Sequence, residues 1–229
     1  MILDHISILF FPEATILRLI GRMAFPLYCF LIVDGYFHVK DDKKRLCKYV
    51  LNILLFAIIT EVPFNLLFYN RYFYFLQQNV LFDLFLGLIM LILLDQVKNN
   101  KALKIFYFLM SAFLSTIFFA NYIFHGVILF YGFYLYKNSL KNNTLYTAII
   151  AFATSQLLTN IVLKCFIDNK PFFNVLMNNY ILAGTFITIP LILNYNGLQG
   201  KYNKAIKYLF YLSYPLHIVL FLLIKYYVL

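Results

Sequence analysis

The sequence predicts an all-α fold: a polytopic integral membrane bundle of about eight or nine transmembrane helices, forming a single domain over residues 1–229. Three observations predict it. Of the 229 residues, 63% are hydrophobic and only 12% charged, a composition outside that of soluble globular domains. Apolar runs near the length of a bilayer crossing recur along nearly the whole chain. Short connectors rich in Lys and Asn separate them.

The runs fall at about 2–11, 16–37, 46–69, 79–96, 102–120, 122–137, 144–163, 175–194 and 205–227. The first is short, about 15 Å at 1.5 Å per residue and half the hydrocarbon thickness. It is expected as a half-helix supported by neighbours, or as the end of a longer helix that starts upstream. The second run carries Gly21-Arg22, Pro26, Asp34 and Gly35, and the third has Glu61 just ahead of Pro63. The fourth opens with Asn79 and Asp83. The fifth and sixth are separated only near Ala120-Asn121, as a tight helical hairpin or one broken helix. Gln156 and Asn160 lie in the seventh run, and the ninth contains Pro215 and His217. There is no internal repeat.

The net charge of +10 does not indicate nucleic acid, because the basic residues sit in separate connectors rather than one patch. They set the orientation instead. Lys40, Lys43, Lys44, Arg45, Lys48, Lys98, Lys101, Lys104, Lys137, Lys141, Lys201, Lys204 and Lys207 fall on one side. Only Arg71, Lys164, Lys170 and Lys225 fall on the other. This places the N-terminus in the cytoplasm and the C-terminus outside the plasma (inner) membrane. Cys29, Cys47 and Cys165 are odd in number and far apart, which argues against a disulfide framework or a zinc site. The first run has no basic leader and no small-residue cleavage site, so it does not read as a signal peptide.

Ionisable groups within such spans cost several kcal/mol unless paired or hydrated, which makes each a candidate for function. Polar residues recur at i, i+4, the spacing of one helix face: Arg18/Arg22, Glu61/Asn65, Asn79/Asp83, Asn121/His125, Gln156/Asn160 and Ser213/His217. With the orientation above, Asp4, His5, Arg22, Glu61 and Asp83 share one depth in the outer half of the bilayer, as around an outward-opening polar chamber. Plainer roles compete. Arg22 could snorkel, Glu61 could serve backbone groups freed by Pro63, and His125 could be a hydrogen-bonded structural histidine. Gln156 and Asn160 read as inter-helix hydrogen bonders. For Asp4-His5 function is favoured, because a histidine beside a carboxylate can act as a base near neutral pH.

The stretches MILDHI, GRMAFPLYCFLIVDGYF, TEVPFNLLF, NVLFDLFLGL, ANYIFHGVILFYGF and LILNYNGLQGKYNKAIKYLFYLSYPLHIVLF, in that order, resemble the TraX family of integral membrane proteins. The G-R-x-A-F-P and Y-N-G…F-Y…Y-P-x-H signatures are its specific part. The match carries over Asp4, His5, Gly21, Arg22, Phe25, Pro26, Gly35, Pro63, Asn79, Gly87, Asn196, Gly197, Gly200, Pro215 and His217. The chain departs from the pattern at Asp34, where Glu is expected, and at Asn121, where an acid is common; Asp83 is not carried over.

The resemblance implies an acetyltransferase associated with N-terminal acetylation of a conjugative pilin subunit. Acetyl-CoA would be the acyl-donor substrate, with no tightly bound cofactor and no metal. Such chemistry needs a base, for which His5 is the candidate with Asp4 balancing charge, and a cation for the oxyanion, for which Arg22 is the candidate. His217 is a second possible base or an acyl-carrying nucleophile. Glu61, Asn79, Asp83, His125 and Asp34 are the candidate substrate-binding residues. The alternatives are O-acylation of a cell-surface glycan, or a non-enzymatic transporter or assembly partner of a conjugation apparatus.

Overall fold

The structure, a computed structural model, describes residues 1–97, 100–198 and 204–228, with side chains described outside 204–211 and 228. Lys98, Gly200 and Lys201 lie outside the described residues, as do the side chains of Lys204 and Lys207. Every regular element among the described residues is helical. Four helical stretches among them are long and apolar enough to cross a membrane: Thr15–Val39, Lys43–Tyr69, Asn142–Ile167 and Phe172–Leu193. The chain divides into two compact units, Met1–Phe37 with His125–Tyr195, and His38–Phe124 with Asn196–Leu229.

In the first unit, α1 (Ile2–Leu9) packs on α2 (Thr15–Gly21). The Ser7 hydroxyl lies 3.2 Å from both the Phe11 and Ala14 carbonyls and ties the link between them. The run expected as one helix over 16–37 is broken, because α2 ends at Gly21 and α3 (Ala24–Val39) starts after a turn. The cause is Pro26. It has no N–H for the carbonyl of Arg22 and its ring crowds that carbonyl, so regular winding fails there. Aromatic contacts hold α3 in place: Phe30 lies edge-on to Phe133 of α7 (Ile123–Ser139) at 5.7 Å, and Phe25 is 5.8 Å from Phe152 of α8 (Asn142–Ile161). Helices α7 and α8 approach closely at Gly132, where an added Cβ would stand 2.4 Å from that of Ala148.

Beyond α8 the chain makes a π-helical turn, Val162–Ile167. The expected single helix over 175–194 is also broken. It resolves into α9 (Phe172–Asn178), a 3-10 stretch (Tyr180–Ile187) and α10 (Thr188–Leu193). Pro190 cannot bond the Phe186 carbonyl. Gly184 lies so close to α2 that a Cβ would fall 1.9 Å from the Leu19 carbonyl oxygen.

The second unit is simpler. Helices α4 (Lys43–Tyr69), α5 (Val80–Gln96) and α6 (Lys101–Ile117) pack in sequence, and α11 (Lys204–Val228) lies against α4. Side-chain caps set all three starts: Asp42 accepts from the Lys44 and Arg45 N–H groups, Asn79 from Leu81, and Asn100 from Leu103. Helix α4 runs through Pro63 and stops at Asn70, which is left-handed at φ 54°. Lys225 of α11 donates to the freed Leu67 carbonyl at 2.7 Å, a cation at the negative end of α4. Lys40 pairs with Asp95 at 3.2 Å.

Candidate functional site

The predicted site residues divide between the units. Asp4, His5, Arg22, Asp34 and His125 belong to the first, and Glu61, Asn79, Asp83 and His217 to the second.

In the first unit, α1 and α2 cross at Asp4 and Gly21. A Cβ on Gly21 would stand 2.5 Å from the Asp4 Cβ and 2.9 Å from its Cα, so only glycine permits this approach. The crossing brings the helix that carries Asp4 and His5 against the turn that begins with Arg22. His5 is buried, and one buried Asp4 oxygen has no hydrogen-bond partner among the described residues. On its other flank Arg22 backs onto Gly184, whose Cβ would be 3.3 Å from the Arg22 Cβ.

Asp34 is buried on α3 and forms an ion pair with Lys137 of α7. The Tyr195 hydroxyl donates to its other oxygen at 3.2 Å. Burial, with the Asp34 carboxylate adding to it, holds the Tyr195 phenol above its ordinary pKa, so it remains the donor. The Lys137 ammonium also lies 5.7 Å from the Phe30 ring centre. The sequence offered no sign of this cluster, because Lys137 reads as one more orienting connector charge. His125 Nδ1 is 2.9 Å from the Ser155 hydroxyl, whose own proton goes to the Phe152 carbonyl. Ser155 therefore accepts from His125, leaving Nε2 as the imidazole's lone-pair nitrogen.

In the second unit Glu61 holds the start of α5. Its Oε2 accepts from the Asn79 N–H at 3.1 Å and from the Asn79 amide at 2.6 Å, and its Oε1 accepts from Asn65 at 3.1 Å. Asn79 also donates to the Ala57 carbonyl at 2.8 Å. Asp83 Oδ1 accepts from the Tyr122 N–H at 3.0 Å. Gln77 bridges Tyr69 and Asn121, the latter at 2.7 Å. His217 Nδ1 sits 2.8 Å from the Ser213 carbonyl, which can only accept, so Nδ1 carries the proton and Nε2 keeps the lone pair. Its ring meets Tyr214 edge-on at 5.2 Å.

The i, i+4 pattern has a mixed outcome. Glu61/Asn65 and Ser213/His217 bond within one helix as the spacing predicts, the latter through the Ser213 backbone. Asn79 is a cap and Asn121 lies in a turn, so for their pairs a shared helical face does not apply. Arg22 is the residue after α2 rather than part of it. Asn160 bonds Asn179 across elements at 2.8 Å, the structural role read for it.

The TraX protein family matches residues 1–225. An uncharacterized protein of Rickettsia prowazekii, RP591, is 30% identical over 210 residues, covering 84% of this chain and 73% of that protein. A protein of Dichelobacter nodosus named "Probable fimbrial assembly protein FimC, serogroup H1" is 34% identical over 104 residues, 41% of either chain. No solved structure matches. A family match over nearly the whole length, agreeing with the Asp-His, Gly-Arg and Pro-x-His signatures, settles the kinship: the chain belongs to the TraX family.

Proposed function

We propose that this protein is an integral membrane acyltransferase with eight or nine crossings. It moves an acetyl group from acetyl-CoA to the N-terminus of a pilin or similar envelope acceptor. In this reading it lies in the plasma (inner) membrane with the N-terminus in the cytoplasm and the C-terminus outside. The observation that carries it is the glycine-enforced crossing of Asp4 on Gly21, which brings a buried histidine's helix against the turn of Arg22. Family membership and the fimbrial-assembly name of the Dichelobacter relative point the same way.

The acceptor amine attacks the thioester carbon, a C–N bond forms and the C–S bond breaks. The amine proton passes to His5 and from there to the departing CoA thiolate. Asp4 balances the charge on His5, and the Arg22 guanidinium receives the oxyanion. His217, with Nε2 as its lone-pair nitrogen, is the alternative base. Of the candidate substrate-binding residues, His125 lies in the same unit as Asp4, His5 and Arg22 and serves the acceptor's binding. That relative's name also supports a second reading, a non-catalytic partner in pilus assembly.

Reconstituted protein, labelled acetyl-CoA and an envelope fraction test the proposal. Label in an amide at a pilin N-terminus is the expected result. Label in an ester released by hydroxylamine would move the acceptor to a glycan, and no transfer to any fraction would favour the assembly role.

A further inference from the structure

Gln156 and Asn160 read alike from the sequence, as hydrogen bonders between helices, but the structure separates them. Asn160 bonds Asn179 at 2.8 Å. Gln156 Oε1 is buried and has no hydrogen-bond partner among the described residues. What it faces follows from its neighbours along α8. Phe152, Gln156 and Asn160 are spaced four apart, so they form one row on one face of the helix. At one end of the row Phe152 meets Phe25, at the start of α3. At the other, Asn160 meets Asn179, immediately before the 3-10 stretch. The turn leading into α3 and the 3-10 stretch also meet each other, where Gly184 closes on Leu19 and Arg22. Gln156, midway along the row, is therefore turned towards that meeting point. Asp4 borders the same turn through Gly21 and likewise has a buried oxygen with no partner among the described residues. All of these residues belong to the first unit.

A carboxamide oxygen can only accept, so whatever completes it must bring a donor. Buried acceptors are expensive to leave unmade. A pantetheine thioester and a peptide each carry a secondary amide within a few bonds of the reacting atoms, and its N–H is such a donor. We propose that Gln156 is a substrate-contacting residue beside Arg22, its Oε1 accepting a hydrogen bond from a secondary amide N–H of the substrate. The inference rests on the acyl-transfer reading and adds a specificity-determining contact to it. A substrate with an amide N–H at that point is favoured over one with an ester oxygen.

The test is binding to the reconstituted protein, which does not depend on turnover. Two pairs of ligands are compared. One is pantetheine against its analogue with an ester oxygen in place of the amide nitrogen nearest the thiol. The other is trialanine amide against its analogue with an ester in place of the first peptide bond. Gln156→Met keeps much of the side chain's length and removes the carboxamide. In at least one pair the ester analogue is expected to bind the parent protein about 3- to 10-fold more weakly, the range for one neutral hydrogen bond. Gln156→Met is expected to bind both members of that pair equally, and the pair that behaves so identifies the amide as the donor's or the acceptor's. The variant is also expected to unfold at or above the temperature of the parent, because it removes a buried acceptor that lacks a partner. A preference for the amide that Gln156→Met retains in full, no preference in either pair, no binding of any of the four compounds, or a lower unfolding temperature overturns the proposal. Amide-selective binding that Gln156→Met loses, without acetyl transfer by the parent, would sink the enzymatic reading and leave this contact standing; transfer without that selectivity would do the reverse.

Discussion

The two units solve the same problem, a buried acid in an apolar protein, in opposite ways. In the first, Asp34 is neutralised within the chain by Lys137 and bonded again by Tyr195. In the second, Glu61 and Asp83 are bonded only to N–H groups among the described residues. A paired acid is a fastener: it holds α3 to α7, and its counterion is not available to anything else. His5, the tight glycine crossing and Arg22 lie in the unit that holds this ion pair, and Glu61 and Asp83 lie in the other.

The largest expected effect separates the histidines of the two units. His5→Ala should lower acetyl transfer by about 10²–10⁴-fold, the range for losing a general base. His217→Ala should change it far less. Transfer rates of the two purified variants decide the matter, and the opposite ranking would move the base to α11. Arg22→Lys should also fail, because a point charge on a flexible stem does not replace a planar donor fork.

Next in size is the ion pair. Lys137→Met leaves Asp34 buried and uncompensated, and should cost about 3–5 kcal/mol of stability. The double variant Lys137→Met with Asp34→Leu should recover most of that loss, since a well-packed apolar pair often replaces a buried ion pair at little cost. Denaturant unfolding in detergent measures both. A single variant as stable as the parent would remove the contrast drawn between the units.

A smaller effect is expected at the glycine contacts. Gly21→Ala should cost about 1–3 kcal/mol from overpacking against Asp4. It should lower transfer as well, because α1 must move away from the turn of Arg22. Loss of stability with unchanged transfer would make the crossing purely architectural.

Much of the helical content and punctuation was legible in the sequence because it depends on local chemistry. Hydrophobic runs gave the helices, and Asp42, Asn79 and Asn100 begin them by capping with their own side chains. The Glu61/Asn65 contact follows from helical geometry alone. Where a run was broken, at Pro26 and Pro190, the cause was also local: a missing N–H cannot be seen from hydropathy but is present in the sequence. The partners were not legible. Lys137 on Asp34, Tyr195 on the same carboxylate, Ser155 on His125 and Tyr122 on Asp83 join residues far apart in the chain. The sequence by itself determined that this protein is helical and apolar, and that acids and histidines lie within its apolar runs. Only the tertiary structure decided which acid has a counterion and which does not, because a buried charge is set by what folding brings within a few ångströms of it, and spacing along the chain does not encode that distance.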